Sequence, residues 1–311
     1  MRRLGGDERA DPSIKAFVES AEAALERASR PKISPLSRFE GLTGFDESFI
    51  NNFPVPLPAP KGSAASDVLA VENRTNGRLD YLHFSVVMSK KRRMAMFVGV
   101  NIDGARSVNV ERANDKWFLD GRIPLDAQIG EELYLDNLLD RGHLIRREDP
   151  NWGDQNEARA ANDMTFHFTN CSPQMAAFNQ KTWLGLEDYI LQNSRAWRER
   201  ICVFTGPIFR RDDLEYRGVL IPRAYWKVVA FVSDDMKPSA TAYTIDQERE
   251  LTELEAAFGA YKTYQRSVRA IEKLTGLSFG DLANYDGFSN HEADTRIEIA
   301  SELRAPSDVR L

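Results

Sequence analysis

The residues whose types and spacing carry most chemistry are Asp140-Arg141-Gly142-His143, followed downstream by Asn170-Cys171-Ser172-Pro173-Gln174 and Phe178-Asn179-Gln180. An imidazole titrates near neutral pH and suits a general base. This one directly follows an acid and an arginine, with Gly142 expected to free the backbone between them. The chain has four histidines, and the other three have weaker settings. His83 and His167 alternate with apolar residues and read as packed or supporting side chains, and His291 lies in a polar tail and reads as inert. On these residues alone, His143 is equally readable as a base or as a salt-bridged loop histidine.

Histidine and cysteine do not cluster, which argues against a zinc-type site. Oxygen donors are better placed: the amide oxygens of Asn170 and Asn179 and the carboxylate of Glu187. On a helix, Asn179 and Glu187 would stand about 12 Å apart along the axis, too far for one ion to bind both directly. Magnesium keeps several of its waters, so Glu187 can act through one of them. Asn179 also reads as a helix-capping amide, and Asn170 to Gln174 as turn chemistry at a strand end. A base, a hard cation and an arginine grip on phosphate together point to phosphodiester hydrolysis. Arg141 and Arg112 are the candidates for the grip, Arg112 because it precedes the Trp117 turn that should approach the site.

Elements must hold these residues in place. Leu82 to Met88 and Met94 to Ile102 alternate as a β-hairpin across the basic turn Lys90-Lys91-Arg92-Arg93, and Asp103-Gly104 is a turn signal. Ser107 to Glu111 is expected to extend the sheet, and Trp117 to Gly130 is rich in turns. The spacing predicts a strand over Asn162 to Asn170 broken by Ser172-Pro173, then a helix from about Ala176 to Arg195. Further strands are expected over Ile201 to Thr205, closed by Gly206-Pro207, over Tyr225 to Val232 and over Ala240 to Ile245. Helices are expected over Glu248 to Ala257 and Ser267 to Thr275, the second ended by Gly276.

The flanks differ in composition. Residues 1–32 carry an apolar stripe of Ile14, Phe17, Val18, Ala21, Ala24 and Leu25 at helical spacing. Pro54 to Pro60 holds four prolines and reads as an extended linker lying on a surface. Residues 284–311 are polar and read as a partly disordered tail. The expected division is therefore a helical lead and linker over 1–64, a catalytic domain over 65–283 and a tail over 284–311. The N-terminal stripe needs a burial partner: a second copy in a homodimer, a regulatory partner or inhibitor, or the catalytic face itself.

The 311 residues are 42% hydrophobic, enough for a sizeable core. No apolar run approaches the roughly 20 residues needed to span a bilayer, so no membrane role is expected. No signal-peptide pattern is visible, and a cytoplasmic location is the expectation. Two cysteines form no disulfide framework and read as buried thiols. The net charge of −6 argues weakly against nucleic-acid binding, but local clusters such as Arg146-Arg147 and Arg210-Arg211 matter more than the total.

Taken in order, these motifs resemble the DNA/RNA non-specific endonucleases of the ββα-metal class. The likeness rests on Asp140 to His143, Thr165 to Gln174, and Phe178 to Gln180 with Trp183, Leu186 and Glu187. It continues through Thr205-Gly206-Pro207-Ile208-Phe209, Ile221 to Val228, Phe258 to Tyr261 and Ile271 to Gly276, with Tyr81 to Gly104 as the opening hairpin. It implies an α+β, ββα-metal nuclease fold with a central antiparallel sheet flanked by helices. It implies hydrolysis of DNA and RNA to products with 5′-phosphates. In that family's terms His143 is the general base and Asn179 the direct ligand of magnesium, for which manganese can substitute. Glu187 binds the metal through water. Arg141 and Arg112 are implied as phosphate contacts, and Asp140, Asn170, Gln174 and Gln180 as supporting residues. One departure stands out: the family often has an arginine one helical turn after the glutamate, where this chain has Leu191, and Arg195 lies one turn further. Two other readings stay open: another metal-dependent phosphodiesterase or phosphatase, and a nucleic-acid-binding module with an inactive site.

Overall fold

The computed structural model describes residues 32–112, 115–175, 190–196, 198–233, 235–247, 262–303 and 308. All but the end of the N-terminal lead, the helix expected over Glu248 to Ala257 and most of the helix expected from Ala176 lie outside these residues. In chain order the elements that matter here are β1 (Arg78–Asp80), β2 (Phe84–Ser89), β3 (Met94–Asp103), β4 (Leu139–His143) and α1 (Gln155–Met164). They continue with β5 (Cys171–Met175), β6 (Arg200–Ile208), β7 (Ala224–Val232), β8 (Pro238–Asp246) and β9 (Lys262–Arg266). The last are α2 (Val268–Thr275), α3 (Gly287–Thr295) and β10 (Ser301–Leu303).

Eight of the described strands form one antiparallel sheet in the order β10-β9-β8-β7-β6-β3-β2-β1. Side chains alternate across it and both faces are covered, which explains the near-continuous apolar runs of β3 and β7. Tyr225, Val229 and Phe231 join Val98, Val100 and Val203 in one core. Trp226, Val228 and Ala230 join Phe97 and Phe204 in the other. The first core carries the separate β4–β5 ladder, anchored where Ser172 Oγ meets Tyr225 Oη at 3.1 Å. No helix among the described residues is long and apolar enough to cross a membrane.

The second core is closed by Val268 and Ile271 of α2, by Phe279 and Leu282, and by Phe45, Phe49, Ile50, Phe53 and Val55. The proline-rich stretch is extended, as its prolines require, but it is not a surface spacer. Val55 is fully buried, and Ala59–Pro60 pairs with Leu277–Ser278. The C-terminal stretch is also built into the fold where it is described: α3 follows Tyr285, and β10 adds an edge strand to β9.

Local readings differ from the structure at four places. The strand expected over Asn162 to Asn170 is instead the end of α1 and a 3₁₀ turn, Phe168–Asn170. Asp154 and Glu157 form a reciprocal capping box that starts this helix, and the apolar alternation further on belongs to its exit. Ser172-Pro173 does not break a strand but lies within β5, whose one ladder partner among the described residues is β4, so the absent N–H costs no pairing there. Likewise β6 runs on through Gly206-Pro207, beyond its last pair with β3 at Thr205. Ser107 to Glu111 does not extend the sheet; Val108 N–H donates to the Asn151 carbonyl at 2.8 Å instead.

Candidate active site

The β4–β5 ladder sets the site. Its register pairs His143 with Cys171, Gly142 with Ser172, Arg141 with Pro173 and Asp140 with Gln174. Strand alternation puts His143 and Arg141 on one face and Asp140 with Gly142 on the other. The acid beside the histidine in sequence is therefore not beside its ring. Gly142 also serves a purpose other than backbone freedom. It lies in a regular strand, and a Cβ there would come within 2.2 Å of the Gln174 side-chain amide. Gln174 is fully buried, and neither of its amide atoms has a hydrogen-bond partner among the described residues.

His143 closes β4 between two aromatic walls. Trp117 lies 4.6 Å away between ring centroids, and Phe166 meets the imidazole edge-on at 4.8 Å. Burial pushes the imidazole down to about 3; Arg112, Arg147 and Arg146 push the same way, and Asp115 opposes them. The ring is thus held in its neutral form throughout the physiological range. Thr165 Oγ1 lies 3.5 Å from Nε2, a loose contact, and donates its own proton to the Asn162 carbonyl at 2.7 Å.

Asn170 is fully buried and fully used. Its Oδ1 accepts from Ile145 N–H at 2.9 Å, and its Nδ2 donates to the carbonyls of Ile145 at 2.9 Å and Thr165 at 3.0 Å. It pins the turn that leaves His143 to the exit of α1. That arrangement makes it a brace, its oxygen engaged by the Ile145 N–H. Arg141 pairs with Glu131 at 3.2 Å. Arg112 is exposed and pairs with Asp115, its Nε 3.3 Å from Oδ1.

The sequence pattern does not mark Asp115, Thr165 or Phe166 as members of the site, and it gives Arg146-Arg147 only as a local basic cluster. The signal was available for the arginines, which follow His143 within a few residues. The other three depend on folding of α1 and of the Trp117 turn. His167 and His83 are packed, as expected. His167 joins Ser34 Oγ and the Met164 carbonyl, each at 2.8 Å, and burial pushes it down to about 4. His83 stacks on Trp152 at 3.4 Å and meets the Pro150 carbonyl at 2.8 Å. It sits in a left-handed bend between β1 and β2, with φ 69°, rather than in a strand. Both cysteines are buried free thiols.

Asn179, Gln180 and Glu187 lie outside the described residues. Among the described ones no cluster of three histidine, cysteine or acidic side chains could hold a metal ion. Residues 190–196 are helical; Leu191 is buried in the first core, and Arg195 points its Nε at Ser107 Oγ, 2.8 Å away.

A profile of the DNA/RNA non-specific endonuclease family matches residues 64–286. An uncharacterized protein of Sinorhizobium fredii, y4fB, is 36% identical over 97% of this chain, which spans 49% of that relative's length. Nuclease C1 of Cunninghamella echinulata var. echinulata is 24% identical, over 70% of this chain and 88% of its own. Mitochondrial endonuclease G of Homo sapiens is 35% identical, over 23% of this chain and 22% of its own. Among solved structures, a chain from the crystal structure of the EndoG/EndoGI complex superposes with a TM-score of 0.55 at 17% identity, covering 67% of this chain and 87% of that one. This likeness is one of fold: α+β, built on a large antiparallel sheet, of the ββα-metal nuclease class.

Proposed function

The chain belongs to the DNA/RNA non-specific endonuclease family, and from that premise we propose that it is a metal-dependent endonuclease hydrolysing phosphodiester bonds of DNA and RNA. The observation that carries the reading is His143, a neutral imidazole at the end of β4, charge-coupled to Arg112 and Arg147 and walled by Trp117 and Phe166. A neutral imidazole takes a proton from the attacking water as the bond to phosphorus forms. Thr165 has committed its own hydroxyl proton to the Asn162 carbonyl and offers Nε2 only a lone pair. That favours the proton on Nε2 and leaves Nδ1 to act as base. Arg112 and Arg141 each pair with a carboxylate near the surface, Asp115 and Glu131, which a substrate phosphate can replace as bidentate partner.

Asn179 is the residue that would hold a magnesium ion, or manganese in its place, with Glu187 acting through a water. An amide and a carboxylate oxygen suit a hard cation. Bound there, the ion would offset negative charge gathering on phosphorus and the leaving oxygen. Contacts through phosphate make cleavage broad in sequence and sensitive to salt. The solved structural relative is a complex in which EndoG is inhibited by EndoGI, and the reading extends to a protein inhibitor or a homodimeric partner for this chain.

The test is digestion of supercoiled plasmid and of RNA with magnesium or with a chelator, by the wild type and by His143→Ala. The expected result is cleavage of both polymers with metal only, and a loss of about 10²–10⁴-fold in the variant. A variant that keeps more than a tenth of the wild-type rate would overturn the role of His143. Turnover of a small phosphodiester with no action on either polymer would favour the other phosphodiesterase reading, and binding without turnover an inactive module.

A further inference from the structure

The stretch 107–112 ends on Arg112, whose charge lowers the proton affinity of His143, yet it belongs to no strand. Apart from the Val108 N–H bond to the Asn151 carbonyl, its fastenings are side chains. Arg195 donates from Nε to Ser107 Oγ at 2.8 Å, and Arg147 donates from Nη1 to the Val110 carbonyl at 3.2 Å. These two arginines come from different parts of the chain, the helical residues 190–196 and the turn that follows β4. One carboxylate joins them. Glu148 Oε1 accepts from Arg147 Nη2 at 2.7 Å, and its Oε2 lies 3.7 Å from Arg195 Nη1. Without an anion between them two guanidiniums at this separation would repel.

We propose that Glu148 is a positioning residue for hydrolysis: by bridging Arg147 and Arg195 it fixes the 107–112 stretch, and with it Arg112, against His143. All three bridging side chains are about a quarter to a third exposed, at 27% for Glu148, 23% for Arg147 and 34% for Arg195. The bridge is thus partly shielded from solvent but is no buried pair whose loss would unfold the protein. Asn162 supports the same turn by donating from Nδ2 to the Arg147 carbonyl at 2.7 Å. Glu148 does not touch substrate in this scheme. It holds the two arginines that hold the stretch, and a displacement of an ångström at a reacting group costs up to about a hundredfold in rate.

The proposal rests on the nuclease reading for its kinetic arm only, so the experiment has two arms on the full chain. The first measures hydrogen exchange of the backbone amides of residues 107–112 in wild type, Glu148→Ala and Glu148→Gln. The expected result is faster exchange in the alanine variant, an intermediate rate in the glutamine variant, which keeps one acceptor, and little change elsewhere. The second measures kcat and KM on duplex DNA with magnesium. Here kcat should fall about tenfold to a hundredfold in Glu148→Ala. KM should change less than threefold, because Arg141, paired with Glu131, is not held by the bridge and keeps its place. Adding Arg195→Ala to Glu148→Ala should cost less than the two single losses added together, since the two residues share one bridge, although Arg195 also holds Ser107 directly. Unchanged exchange overturns the proposal, as does a kcat within twofold of wild type in an active enzyme. A wild type that cleaves nothing, with exchange altered as described, would count against the nuclease reading and leave the bridge standing.

Discussion

Burial and the arginines nearby lower the proton affinity of His143 below that of a free imidazole. Its proton affinity falls from the ordinary 6.5 to about 3, first because burial disfavours the charged ring and then because Arg112, Arg147 and Arg146 lie near it. Two consequences follow at this scale. The acid limb of the kcat/KM profile should lie well below pH 6.5, since the free enzyme's base is already deprotonated there. The stability sign is that of a histidine with a lowered folded pKa. Its neutral form costs nothing above pH 6.5, and stability is lost as pH falls from 6.5 toward 3, where the unfolded chain binds the proton and the folded one does not. Thermal melts from pH 7 to 5 should therefore fall less steeply for His143→Gln than for the wild type. Equal slopes, or an acid limb at 6.5, would mean that His143 titrates as an exposed ring.

At the scale of elements, the β4–β5 ladder is set by a close approach rather than by a turn. Gln174 lies across Gly142, so any Cβ at that position must displace it. Gly142→Ala is expected to cost about 1–3 kcal/mol by overpacking and to move His143, one residue on. Shortening the obstacle should relieve much of this, so Gly142→Ala with Gln174→Ala should be more stable and more active than Gly142→Ala alone. Chemical denaturation of the three variants and the wild type checks the point, and strictly additive losses would show that the two side chains do not compete. The orphan amide of Gln174 strengthens the argument, because removing it forfeits no hydrogen bond among the described residues. Next to this ladder, α1 supplies the Thr165 and Asn162 end of the site, and Asn170 ties that end to the turn after His143.

At the scale of the molecule, the boundary of the working unit lies upstream of the region matched by the family profile. Phe45, Phe49, Ile50, Phe53 and Val55 are all at most 7% exposed and complete the second core. Their burial is worth on the order of 10 kcal/mol together, comparable with the whole net stability of a domain. A chain that begins at Asp67 is therefore expected to be insoluble or to melt without a cooperative transition, although it retains residues 67–286 of the match. Circular dichroism and a thermal melt of that truncation are the check, and a cooperative melt near that of the full chain would refute the prediction. Charge is also a whole-molecule matter: a net −6 coexists with arginines whose charges act on His143, so the local field there is unlike the average.

Much was legible before any fold was known. The central strands β2, β3, β6 and β7 stand in the sequence as long apolar runs, and α2 as a stripe between Ser267 and Gly276, because periodicity and caps are local properties. The Asp140-Arg141-Gly142-His143 motif named a candidate base, because residue types and their spacing are local as well. What the sequence could not decide were relations across the chain. Only the ladder register turned Asp140 away from His143 and laid Gln174 on Gly142. Tertiary contact alone brought Phe166 and Thr165 to the imidazole and fixed how Trp117 meets it, and it gave Val55 a core to enter. A strand's period says which residues share a face but not what that face meets, and a charge's neighbours in space are set by loops whose paths no local pattern encodes.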